Sequence, residues 1–183
     1  SFGGATQYRY VSDTIGLMKV VSVTNGQLAT AESIKPIPQP CVDDPTYRWS
    51  FGAWSAARGY PKSLEVFEQS LYAGFTPSEP RTLWASTLGA FLDFEPSSEP
   101  DGSFGFALSD SFGNWLFEAR RGLFIGSLGQ VRRAFSSTSG QRAGPTTFDT
   151  TLEATDGSSP YPPISPFGNP VLISKDCQRV EEL

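Results

Sequence analysis

The chain contains no histidine. Its absence removes Ser-His-Asp and Cys-His catalytic sets, His-ligated zinc sites and the commonest general base near neutral pH. Cysteine is almost as scarce, with Cys41 and Cys177 the only two. Two thiols without histidine do not complete a four-ligand structural zinc site, and they fix no redox compartment. They leave open one disulfide between the N-terminal third and the C-terminal tail, or two unpaired thiols. No apolar run reaches the roughly 18 residues of a membrane span, so no span is expected. None of the 3 asparagines stands in an Asn-x-Ser/Thr context, which disfavours a heavily glycosylated ectodomain. No glycine-rich loop has the spacing that cradles phosphate; Gly102-Ser103-Phe104-Gly105 reads better as a strand turn. Charge is sparse too, at 18% charged residues and a net −5, which makes duplex nucleic acid a poor partner. No cofactor or metal is expected.

What is present is aromatic and rich in turns. The 183 residues include 14 Phe, 4 Trp, 18 Gly and 15 Pro. That length predicts a single domain over 1–183 with a sizeable core. Abundant Gly and Pro without a collagen-like period fit many short strands joined by tight turns. The clearest stretch is Leu83 to Phe135, which alternates as an antiparallel meander. Its expected strands are Ala90–Glu95, Phe104–Leu108, Trp115–Ala119 and Leu123–Ile125. They are separated by Pro96 to Gly102, Asp110 to Asn114, and Arg120-Arg121-Gly122.

Around this meander, Tyr8–Val11 and Tyr47–Phe51 read as strands. Met18–Thr24 and Gln27–Ala31 flank Asn25-Gly26, a strong hairpin signal because a type I′ turn needs positive φ at both central residues. Lys35 to Pro45 carries four prolines and reads as an extended polyproline-like crossing or an edge segment. Trp54 to Tyr60 reads as an aromatic loop. Ser63 to Tyr72 fits either a helix face or alternation, with the neighbourhood favouring a strand. Gln130–Phe135, Thr146–Ala154 and Val171–Ser174 complete the strands, and Asp156 to Pro170 is a wrapping loop. The expected fold class is all-β, an antiparallel barrel or sandwich with long Pro/Gly-rich loops and little helix.

Candidate chemistry is limited to acids, arginines and aromatics. Asp93 and Glu95 on one strand face would lie about 7 Å apart along the strand, a glycosidase-like separation, although polar-out alternation alone places acids there. Asp43-Asp44 reads as a calcium pair or a turn. Of 10 arginines, five fall within 23 residues: Arg120, Arg121, Arg132, Arg133 and Arg142. Guanidinium groups grip carboxylate and sulfate bidentately, so this set suits an anionic glycan such as a sialic acid. The same charges would equally protect an exposed strand edge. Trp54, Arg58 and Tyr60 form a second candidate, a hot-spot or sugar-stacking platform.

With the first and last residues, Ser1-Phe2-Gly3-Gly4 and Val180-Glu181-Glu182-Leu183, read as cuts through a longer polypeptide, these features suggest a binding module. The chain resembles the protruding spike domain of a small non-enveloped RNA virus capsid, of the astrovirus or hepevirus kind. Arg179-Val180-Glu181-Glu182-Leu183 would suit the start of the acidic segment that follows astrovirus spikes. The resemblance carries over no residue by motif. It implies a homodimeric spike on the virion surface that binds a host receptor, protein or anionic glycan, and is met by antibodies. The alternatives are a β-sandwich carbohydrate-active enzyme using Asp and Glu, a phage tail domain, or a secreted adhesin.

Overall fold

The computed structural model describes residues 16–44, 52–95, 97, 99–109 and 112–183 of the chain. The expected strands Tyr8–Val11 and Tyr47–Phe51 lie outside these residues. Contacts group the chain into two compact units, Ser1–Ser50 and Phe51–Leu183, where length alone predicts one domain.

In the first unit, β1 (Leu17–Asn25) and β2 (Leu28–Lys35) form the expected antiparallel hairpin. Its turn sits one residue later than Asn25-Gly26 predicts. Asn25 pairs with Leu28, Gly26-Gln27 form the tip, and Gly26 is not left-handed. The Asn25 side chain accepts the Gln27 N–H at 2.9 Å, so the asparagine acts through its side chain and not through a left-handed backbone. The proline-rich stretch is not wholly extended. It contains a helical turn, α1 (Gln39–Asp43), with proline in its first turn, where a missing N–H goes unused.

The second unit is an all-β sandwich built from two consecutive meanders. The first sheet runs in the order β3 (Ser63–Phe67), β4 (Ser70–Gly74), β5 (Thr82–Ala85), β6 (Phe104–Ala107). The second comprises β7 (Gly113–Ala119), β8 (Gly122–Ser127), β9 (Val131–Ser136) and β10 (Phe148–Ala154), likewise in chain order. Every pairing is antiparallel. The hydrogen-bonded ladders do not close into a barrel. Instead β3 runs beside β7, where the Leu116 N–H donates to Ser63 Oγ at 2.8 Å.

Ser63–Tyr72 resolves to strand, turn, strand. Glu68 and Gln69 both adopt positive φ, +46° and +62°, so the hairpin places two non-glycine residues where glycine or asparagine is usual. Contacts from elsewhere hold the turn: Glu68 Oε2 accepts the Ala143 N–H at 2.9 Å, and the Gln69 carbonyl accepts the Gly89 N–H at 2.8 Å. Ala90–Glu95 is not a strand. Left-handed Gly89 reverses the chain, a Thr87–Ala90 bridge tightens the bend, and the Asp93 N–H donates to the Ala90 carbonyl. The alternation there is spent on a turn that leaves Leu92 93% exposed.

Between the sheets lies an apolar core of Tyr72, Leu83, Leu116, Leu123 and Ile125, edged by Phe104, Phe106 and Phe148. Trp115, Phe124 and Val131 point to the other side of the second sheet. There Leu172 of β11 (Val171–Ile173) covers them, with Leu183 beyond β12 (Val180–Glu182). A strand buried on both faces loses its polar alternation, which is why Leu123-Phe124-Ile125 is continuously apolar.

Candidate ligand-binding site

The five clustered arginines do not converge. Arg132 and Arg133 are neighbours on β9, so their side chains leave opposite faces of the sheet. Arg132 donates from Nε to Thr150 Oγ1 at 2.9 Å and from Nη1 to Gln130 Oε1 at 2.8 Å. Arg133 donates from Nε to Glu153 Oε1 at 2.7 Å, and Arg121 reaches the other oxygen of the same carboxylate at 3.4 Å. Arg120, beside Arg121 at the β7–β8 turn, packs its stem against Gly168. It borders a shallow groove of about 570 Å³ that also holds Glu68 and Glu118, so the groove is not a cationic site. Arg142 lies in the β9–β10 loop, where it donates to Ser70 Oγ at 3.2 Å and faces Asp101 at 3.6 Å. Strand alternation thus separates Arg132 from Arg133, and carboxylates already face Arg121, Arg133 and Arg142.

Glu153 is the acceptor that ties β10 to β9 and to the β7–β8 turn, with only 14% of its side chain exposed. Glu153→Gln should lower the unfolding free energy by about 1 kcal/mol, nearly all through Arg133, because the half-exposed Arg121 contact is screened. Urea unfolding at low and high salt would measure it. An unchanged midpoint would remove the carboxylate from the sheet's energetics.

Beside Arg142 lies the fully buried Tyr72. Among the described residues its hydroxyl has no hydrogen-bond partner, and neither do Arg142 Nε and Nη1. Burial pushes the Tyr72 phenol up, Arg142 acts in the opposite direction, and Glu68 adds a smaller push upward. Tyr72→Phe should keep or raise stability at pH 7, since a buried unpaired hydroxyl costs about 1–3 kcal/mol. At high pH the sign follows from linkage. The unfolded phenol ionises near pH 10 while the folded one stays neutral, so the folded state binds the extra proton and stability falls as pH rises. Wild type should therefore lose up to about 1.4 kcal/mol per pH unit above pH 10 relative to Tyr72→Phe. Parallel stability curves for the two proteins would contradict this.

The other candidates separate as well. Asp93 and Glu95 are exposed on the turn after Gly89, and Asp93 Oδ1 accepts the Glu95 N–H at 3.1 Å. They do not share a strand face, so the acid–base spacing read from alternation does not arise. Asp43 ends α1, and its carboxylate accepts from Gln39 Nε2 at 2.7 Å. Among the described residues no cluster of three or more metal-ligating side chains occurs. Cys41 in the first unit and Cys177 in the second are each free and exposed.

The aromatic segment divides in two. Trp54 turns inward, edge-on to Phe94 at 4.5 Å and to Trp84 at 5.7 Å between ring centres. Tyr60 remains 65% exposed. The loop between them is pinned by backbone hydrogen bonds in both directions between Ser55 and Gly59, and Arg58 pairs with Glu79 at 3.4 Å. Gly59 is left-handed, and a Cβ there would meet the Pro77 ring at 2.4 Å, so glycine is needed on both counts.

This fixes Tyr60 at the mouth of a cavity of about 260 Å³. Phe112 (54% exposed) and Leu128 stand with Tyr60 among its lining residues, together with Pro77, Lys62 and Asn114. The floor is stiff. Phe75 holds a left-handed φ of +68° and lays its ring where a Cβ on Gly113 would be, 2.0 Å from the nearest ring atom. A bulky residue in that conformation is held there by its surroundings, and such strain gathers at functional sites. Asn114 donates to the Ser158 carbonyl at 2.8 Å, and Lys62 Nζ to the Gly113 carbonyl at 2.9 Å. Such a cavity, with exposed aromatic walls, one ammonium and fixed backbone around it, is suited to holding the face of a small ring and one polar substituent.

Of these lining residues the sequence pattern marks Tyr60 and not Phe112, Leu128 or Lys62. Phe112 falls in the Asp110 to Asn114 stretch whose composition predicts a turn, and an aromatic in such a stretch is the signal that marks it. No family model matches the chain, and no curated protein matches it.

Proposed function

We propose that the Phe51–Leu183 unit is a recognition module, the attachment domain of a virion-surface spike that binds a host receptor through the Tyr60–Phe112 cavity. The observation that carries the reading is the pair of exposed aromatic rings held over a rigid floor. Hot spots need rigid aromatic area with adjacent polar groups, and large solvent-facing rings are what a partner buries. The β-sandwich supplies the stiff frame, and the loops supply the contacts. Binding of the purified protein to a glycan array and to cultured cells tests the reading. Saturable capture on either is expected, and absence of capture on both would overturn it.

A further inference from the structure

We propose that the cavity takes a carboxylate-bearing sugar, a sialic acid or hexuronate unit at a glycan terminus, with Lys62 meeting the carboxylate and Tyr60 or Phe112 stacking on the ring. The inference rests on the recognition reading above and narrows it to one ligand class. Among the described residues that line the cavity, Lys62 is the one that carries a charge. Its ammonium spends one donor on the Gly113 carbonyl, which fixes its position, and an ammonium has three. Among the described residues no other acceptor takes its remaining two N–H groups, which can meet an incoming one. Lys62 is itself exposed, so a carboxylate can reach it without the desolvation penalty of a buried ion. The aromatic walls exclude a bare inorganic anion as the favoured occupant, because Tyr60, Phe112, Leu128 and Pro77 offer apolar contact that a small ion does not use. A sugar ring offers C–H faces to such walls and hydroxyls to their polar edges. The volume fits one ring unit and not a peptide segment.

The test is titration calorimetry with the methyl glycoside of N-acetylneuraminic acid or of glucuronic acid, each beside its uncharged methyl ester. Wild type should prefer an acid over its ester by about tenfold at low salt, less at high salt. Lys62→Met should abolish that preference, and Lys62→Arg should keep most of it, with melting curves showing both variants folded. Equal affinity for acid and ester, or a preference that survives Lys62→Met, would overturn the inference and leave the recognition reading standing. So would absence of binding to every probe by a protein that cells or neutral glycans still capture. A protein captured by neither cells nor any glycan would instead overturn the recognition reading itself.

Discussion

Replacing Gly157 with alanine is expected to lower the melting temperature by about 10 °C, corresponding to about 3 kcal/mol or more. Two costs combine. Gly157 has φ +72°, and a Cβ in that left-handed conformation costs about 1 kcal/mol or a little more. That Cβ would also lie 2.2 Å from the Leu128 carbonyl oxygen, a backbone atom with no rotamer to escape into. Gly140 supplies the control, being left-handed at φ +77° with open space around its missing Cβ. Gly140→Ala should therefore show the conformational cost alone, a drop of only a few degrees. The damage should also reach the ligand site, since Leu128 lines the cavity and the Ser158 N–H donates to the Ser127 carbonyl at 2.8 Å beside it. Equal losses for the two variants would mean that the close approach at Leu128 is unimportant.

Removing both rings at the cavity mouth should have the largest effect on binding. Tyr60→Ala with Phe112→Ala is expected to weaken receptor or glycan capture by about a hundredfold, near 2.7 kcal/mol, because hot-spot aromatics each contribute about 1–2 kcal/mol or more. Both side chains are more than half exposed, so their loss should change the unfolding free energy by no more than about 0.5 kcal/mol each. A binding defect with an unchanged melting curve is the expected pattern. The inward-turned Trp54 should behave in the opposite way. Trp54→Ala deletes the packing on Trp84 and Phe94 and should destabilise the fold, while its effect on binding should be secondary.

The sheets were readable wherever one side chain in two faced solvent or a turn was spelled by Gly, Asp or Asn. β6, β7, β9 and β10 fall where alternation places them, within one or two residues, and β8 falls between the turns that bound its apolar run. Reading failed where a contact distant in sequence dictates the backbone. Nothing in Glu68-Gln69 announces a left-handed turn, because the Ala143 and Gly89 amides that fix it come from other loops. Ala90–Glu95 alternates as a strand should, yet no ladder partner is available to it once Gly89 bends the chain. The site divided in the same way. Tyr60 was visible as an aromatic among small residues, whereas the arginines misled because spacing along a chain does not say which sheet face a side chain leaves. The role of Lys62 depends on a carbonyl 51 residues away, which no local pattern encodes.

The most direct measurement is an amide chemical-shift map of the labelled protein titrated with whichever glycan or receptor fragment captures it. Perturbations should concentrate at the backbone of Lys62, Thr76, Gly113, Asn114 and Leu128, which surround the Tyr60–Phe112 cavity, and leave the Arg120-Arg121 turn unmoved. A map centred on that turn or on β9, with the cavity amides silent, would place recognition elsewhere on the sandwich.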